Sequence, residues 1–472
     1  MVTSSESEMT SFWDCLEAAV SAHRQGRLDE ASEVYRRLLA DQPDDPHLLH
    51  LLALIALQKG NGDATVAYVE RALAGSRARY AAMPAPADRG QEVPSTPSIQ
   101  PAQVAKLPYP PSGEAGIEEI FVELTSRCNL RCRYCAVSLP DYVGRDMAPR
   151  HVEAVLEFAT GASIPLIVSL NVHGETTEVE GWTDLSGRFL ATGARLNLIS
   201  NFARYFSEEE ISTLARYAGI RISIDSVDRK LLREIRRSVD LRIILHNLTR
   251  LRATALRQEG RIPLMGINCV VSDKSVFGVK DLVAFAAANG FSDVTLHDLA
   301  ELTELPDDRP RHISTLAPEL YRQALDTIRD AIALGERLRL RVDVQASLAA
   351  LLAEPDASRR HSTRYFKANA PVLVSTPLPG PGETRRCLDP WRVVKVEEGG
   401  GVASCCIGRT LIGHLDEAPL SAIVSGEAAR QRREELATGK LNAECRFCPA
   451  RPVVTVATLQ AELTAWKTYR QE

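Results

Sequence analysis

The sequence predicts an α/β protein, with an all-α repeat region ahead of the central domain and a small cysteine-bearing α+β extension behind it. Three observations carry this. From residue 117 onward, short β-branched runs alternate with longer helical patterns, which calls for a parallel sheet with right-handed crossovers. Residues 12–75 repeat a helical pattern at a fixed interval. Eight of the ten cysteines fall into two tight groups, one near residue 130 and one between 387 and 448.

Composition narrows the function classes. At 472 residues, 45% hydrophobic and 25% charged, the chain has material for two or three soluble domains. A net charge of −5 argues against general affinity for nucleic acid or anionic membrane. The start, MVTSSESEMTSFWD, lacks the basic-then-apolar pattern of a secretory signal, and no apolar run reaches about 18 residues. Clustered cysteines in such a chain fit metal ligation in a reducing compartment better than disulfides. A cytoplasmic protein is expected.

Within residues 10–80, GRLDEASEVYRRLL from Gly26 returns as GNGDATVAYVERAL from Gly60, a period of 34 residues. Asp29 then matches Asp63, Tyr35 matches Val69 and Leu39 matches Leu73. That period resembles about two tetratricopeptide repeats, which usually need three or more units to stand alone. The pair implies a docking surface for a protein partner or a structural appendage. Residues 81–116 are rich in Pro, Ala, Ser and Gly and read as a linker.

In the central domain, residues 117–345, strands are expected at Ile117–Leu124, Leu166–Val172, Arg195–Ser200, Gly219–Asp225, Ile262–Val271 and Asp293–His297. Directly after the first comes ELTSRCNLRCRYC, with Cys128, Cys132 and Cys135 spaced C-x3-C-x2-C. Thiolates this close select a soft metal centre. Three ligands are one short of a closed tetrahedral zinc site. A [4Fe–4S] cubane held by three cysteines instead keeps one iron open for a small molecule. A partial zinc site is the plainer alternative.

This motif, with Tyr134 before the third cysteine, resembles the radical SAM superfamily. The resemblance implies a partial (β/α)6 TIM-like barrel whose functional residues sit at the C-terminal ends of the strands. It also implies that the open iron chelates S-adenosylmethionine, which the reduced cluster cleaves to a 5′-deoxyadenosyl radical. Gly174 and Glu175 match part of the family's GGEP loop, which binds the ammonium of the methionine moiety; His173 and Thr176 depart from it. Asn201 ends strand three. Ser223 and Asp225, in RISIDS, resemble a strand whose polar side chains face the cofactor's ribose and carboxylate. Arg236 stands where relatives often place an arginine near that carboxylate, and a solvated helix face would explain it too. Asn268, His297 and Asp298 are candidates for substrate contact. Cys269 and Cys15 read as small core residues.

The region 346–472 holds Cys387, Cys405, Cys406, Cys445 and Cys448, the first three bracketing an apparent hairpin, WRVVKVEEGGGVAS. Two hairpin thiols and a C-x2-C make a four-thiolate site for zinc or an iron–sulfur cluster. The block resembles the SPASM or twitch extension of many radical SAM proteins. That implies one auxiliary [4Fe–4S] cluster on Cys387, Cys405, Cys445 and Cys448, with Cys406 spare. A zinc ribbon is the alternative.

The expected function is reductive cleavage of S-adenosylmethionine and abstraction of hydrogen from a C–H bond, in a net oxidation or modification. The substrate would be a peptide or protein, or a sugar or aminocyclitol, and an electron donor such as flavodoxin or ferredoxin would supply the electron. From another class comes a non-catalytic iron–sulfur or zinc scaffold that docks a partner through its repeats.

Overall fold

The computed structural model describes residues 12–61 except 44, scattered positions from 63 to 71, residues 116–354 except 303, and residues 360–363 and 372–471. The expected linker therefore lies outside the described residues but for Gly116, as does most of the second repeat unit.

Three N-terminal helices span Phe12–Arg24, Leu28–Asp41 and Pro46–Gln58. Tyr35, Leu38 and Leu39 of the second pack with Leu48, Leu49, Leu52 and Ile55 of the third. The third helix, PHLLHLLALIALQ, is apolar nearly all round, so it needs cover on both sides. Its other side supplies Ala53 and Leu54 to the main core of the molecule. Against it lies Gly290, at φ +60°, where a Cβ would sit 2.8 Å from the His50 ring.

Strands β1 (Glu119–Val122), β2 (Ile167–Ser169), β3 (Arg195–Ser200), β4 (Gly219–Ser223), β5 (Leu264–Val271) and β6 (Asp293–Asp298) pair in parallel in chain order. Past the short β7 (Glu301–Leu302), β8 (Arg341–Val344) joins β6 in parallel. The remaining strands are β9 (Arg360–Thr363), β10 (Val372–Ser375), β11 (Glu383–Arg385), β12 (Val393–Val396), β13 (Gly401–Ala403), β14 (Gly413–His414) and β15 (Val453–Thr455). The main sheet runs β14-β13-β12-β1-β2-β3-β4-β5-β6-β8 and stays open, a partial barrel. Its six expected strands are extended at both edges. On the far side of β1, β12 pairs in parallel with Ile120 opposite Val394, and the expected hairpin follows as β12–β13. Strand β12 can lie in the interior because Val394 and Val396 are buried and Lys395 donates to the Gly408 carbonyl at 2.7 Å. Two small sheets, β7-β10-β9 and β11-β15, complete the C-terminal part.

Strand periodicity decides what faces what. Ile120, Val168, Leu196, Ile222, Ile267, Cys269 and Val294 are fully buried. Their alternates Phe121, Asn197, Ile199, Arg221, Ser223 and Asn268 line interior cavities. Between β4 and β5 the chain forms two helices, Arg229–Arg236 and Leu241–Glu259. Asp240 caps the second, and between them Arg237 and Ser238 take φ of 47° and 69°. Among the described residues, no helix is long and apolar enough to cross a membrane.

Candidate active site

The loop after β1 brings Cys128, Cys132 and Cys135 to one wall of a cavity of about 250 Å³. Tyr134, Gly174, Glu175, Asn201, Ser223 and Arg236 line the same cavity, as do Asn268 and His297. Burial pushes the Cys128 and Cys132 thiols up to about 12 and raises Cys135. Three desolvated thiols facing one cavity suit a soft cation, whose charge would compensate the thiolates. A backbone N–H, that of Leu130, is already aimed at the Cys128 sulfur at 3.4 Å.

Gly174 is where two loops meet. A Cβ there would lie 2.2 Å from the Thr125 carbonyl oxygen and 2.6 Å from that of Arg127, so the position admits only glycine. Next to it, Glu175 donates its backbone N–H to Arg127 at 2.8 Å. The Glu175 carboxylate is buried and turned toward β3. It accepts from the Asn201 N–H (2.8 Å) and from the Ser200 and Thr177 hydroxyls (both 2.9 Å). Burial raises its pKa, and those donors oppose the rise. Glu175 thus ties the β2 loop to the end of β3, while Asn201 reaches Asn129 in the cysteine loop at 2.8 Å.

Asp225 stands behind the cavity wall. Its Oδ2 accepts from Arg236 Nε (2.7 Å) and the Tyr134 hydroxyl (2.8 Å). Its Oδ1 accepts from Arg236 Nη2 and the Val270 N–H, both at 2.9 Å. One carboxylate so fixes an aromatic ring from the cysteine loop and a buried guanidinium, which lies 5.7 Å from the ring centroid. Arg236 is no solvated helix face.

A second cavity, of about 510 Å³, adjoins the first and shares Asn171, Val172, His173, Ile199 and His297 with it. Asp298 and Cys406 line this second space, and Asp298 is paired with His312 at 2.9 Å. His297 is pushed down to about 4 by burial and then by Arg221, which keeps its ring neutral near pH 7. One residue that sequence reasoning left without a role stands at the junction: His173, bonded to the buried Glu123 of the β1 loop. The only signal for it was the departure from glycine beside Gly174.

At the C-terminal site, Cys387, Cys405, Cys445 and Cys448 line one small cavity of about 40 Å³, with Asp389, Glu444 and Arg451. Hydrogen bonding from Cys406 lowers the Cys405 thiol, and the N–H groups of Ile407 and Gly408 reach its sulfur at 3.4 Å. Asp389, Cys405 and Cys406 also offer ligand atoms within 4.8 Å of one another. Buried Arg385, another residue missed in sequence, donates to the carbonyls of Cys445, Arg446 and Arg451 and so shapes the C-x2-C turn.

Residues 122–268 match the radical SAM superfamily, residues 387–449 an iron–sulfur cluster-binding domain (SPASM), and residues 13–55 a tetratricopeptide repeat. No curated protein matches. Similar solved structures include Streptococcus suis SuiB bound to precursor peptide SuiA, at 14% identity, TM-score 0.49, covering 82% of each chain. They also include anSMEcpe with bound AdoMet, at 14% identity, TM-score 0.47, covering 75% of this chain and 93% of that one. BtrN in complex with AdoMet and 2-DOIA matches at 12% identity and TM-score 0.32, over 72% and 94%. The cofactors that go with such a domain pairing are two [4Fe–4S] clusters and S-adenosylmethionine. The chain thus carries a radical SAM domain at residues 122–268, with a tetratricopeptide repeat in front of it and a SPASM domain behind it.

Proposed function

We propose that the protein is a radical SAM oxidoreductase or maturase that abstracts hydrogen from a C–H bond of a peptide, protein or sugar-type substrate. The supporting observation is the continuity of the two cavities, from the three-cysteine wall past His173 and His297 to Cys406 beside the four-cysteine site. In this reading Cys128, Cys132 and Cys135 hold one cluster, and Cys387, Cys405, Cys445 and Cys448 hold the other.

Bound there, the first cluster and S-adenosylmethionine would supply the hydrogen-abstracting chemistry, and the second cluster would supply an electron acceptor. The chain's own residues do the rest. Gly174 lets the β2 loop close on the cysteine loop, and Glu175 holds that loop against β3. Asn201, Ser223 and Arg236 present polar groups to the cofactor, with Arg236 and Tyr134 oriented through Asp225. The wider cavity takes the substrate, with His297 and Asp298 as its polar contacts, and Asn268 meets it from the adjoining cavity of the cysteines. A peptide or protein substrate is favoured by the repeat helices packed on the barrel.

The test is anaerobic reconstitution, an iron and sulfide count, then addition of dithionite and S-adenosylmethionine with assay of 5′-deoxyadenosine. About eight irons per chain with deoxyadenosine support the proposal. Bound zinc, few irons and no deoxyadenosine would favour a docking scaffold instead.

A further inference from the structure

We propose that the exposed basic ledge formed by Arg131 and the helix–turn at 229–242 is the docking surface for a small acidic protein carrying a low-potential one-electron centre. The inference rests on the radical SAM reading above and gives its electron a way in.

The ledge abuts the cysteine loop. The end of helix Arg229–Arg236 lies against the cysteine loop: the Arg133 N–H donates to the Ile235 carbonyl at 2.9 Å, and the Cys132 thiol approaches the Arg236 carbonyl oxygen at 3.8 Å. Arg236 itself is buried, and the next residue, Arg237, is exposed. One residue therefore separates solvent from a group in contact with the Cys132 sulfur. The turn is held in an unusual shape, with two consecutive non-glycine residues at positive φ, Arg237 and Ser238. Arg131, exposed on the other flank, is pinned across the loop by donating to the Cys128 carbonyl at 2.7 Å.

Residues 228–242 carry six cationic side chains against three carboxylates, in a chain whose net charge is −5. Arg229, Lys230, Arg233, Arg237 and Arg242 are all exposed. Asp240 is shared by three of them, Arg242 at 2.7 Å, Arg233 at 3.7 Å and Arg229 at 3.8 Å, so one carboxylate leaves most of the positive charge standing. Such a field steers an acidic partner and is screened by salt.

The experiment uses reconstituted protein and two donors, a reduced acidic flavodoxin and dithionite, with deoxyadenosine as one readout. Binding of oxidised flavodoxin, followed by its flavin fluorescence, is the other. The expected result for Arg229→Glu, Arg233→Glu, Arg237→Glu is a roughly tenfold fall in flavodoxin-driven cleavage and in binding at low salt. The dithionite-driven rate should stay within about twofold, and salt should erase the wild-type advantage. Unchanged flavodoxin-driven cleavage and binding in that variant would overturn the proposal. Should charge reversal also lower the dithionite rate, the milder Arg233→Gln, Arg237→Gln variant decides by the same ratio of donors. Wild-type protein inert to both donors would overturn the radical reading itself.

Discussion

Nδ1 of His173 lies 3.0 Å from Oε1 of Glu123, a carboxylate with no exposed surface. Where that carboxylate is ionised it can only accept, and the ring then donates from Nδ1. The other oxygen of Glu123 accepts from the Glu398 N–H at 3.4 Å, in the turn of the β12–β13 hairpin. One buried carboxyl group therefore ties the loop after β2 to the C-terminal extension.

Coupling between these two side chains should be measurable. His173→Ala is expected to cost about 1–3 kcal/mol, because it weakens the satisfaction of a buried acceptor. Much of that loss should vanish in a Glu123→Gln background. Urea unfolding of the four proteins checks this, and strictly additive losses would count against it.

Gly174→Ala forces a methyl group into two carbonyl oxygens, and backbone cannot yield as a flexible side chain can. Iron content should survive, since every candidate thiolate ligand is retained and the clash falls on Thr125 and Arg127, ahead of the first cysteine. Binding of S-adenosylmethionine, measured by calorimetry on reconstituted protein, should weaken by about tenfold or more.

The adjacent thiols Cys405 and Cys406 face different cavities. Cys405→Ser should lower the count by about four irons per chain. Cys406→Ser should leave the count intact and lower turnover only. The reverse pattern would reassign the ligand.

His297 carries a pH signature. Its pKa falls from 6.5 to about 4 on burial, so between those values the unfolded chain holds the extra proton. Stability from this group is present above about pH 6.5, declines as pH falls, and is gone below about 4. His297→Gln should flatten the dependence of unfolding free energy on pH across that window, measured by denaturant titration.

Much of this was legible in the sequence because it was local. The strand at Arg195–Ser200 and the start of the next at Gly219 follow from the local pattern, although that strand ends at Ser223 and not at the expected Asp225, and the cysteine spacing brings the first site together directly. The hairpin at 393–403 followed from its glycines. What stayed hidden was long-range. The pairing of β12 with β1 joins residues more than 270 apart in sequence, and no periodicity encodes it. The break at Arg237 was hidden because leucine spacing continues through it, while the tertiary contact with Cys132 sets the backbone. Glu123 read as the first residue of a cysteine motif, and only the fold revealed what it holds.

The place of β12 beside β1 has a consequence for how the molecule is made. The strand that precedes the first cysteine loop gets its second neighbour only when residue 396 has been synthesised. Until then β1 is a bare edge, open to pairing with the wrong chain, and closing so long a loop is slow. A fragment ending at residue 345 would keep that edge for good. A chain stopped short of residue 396 therefore leaves the strand that leads into the first cysteine loop paired on one side only.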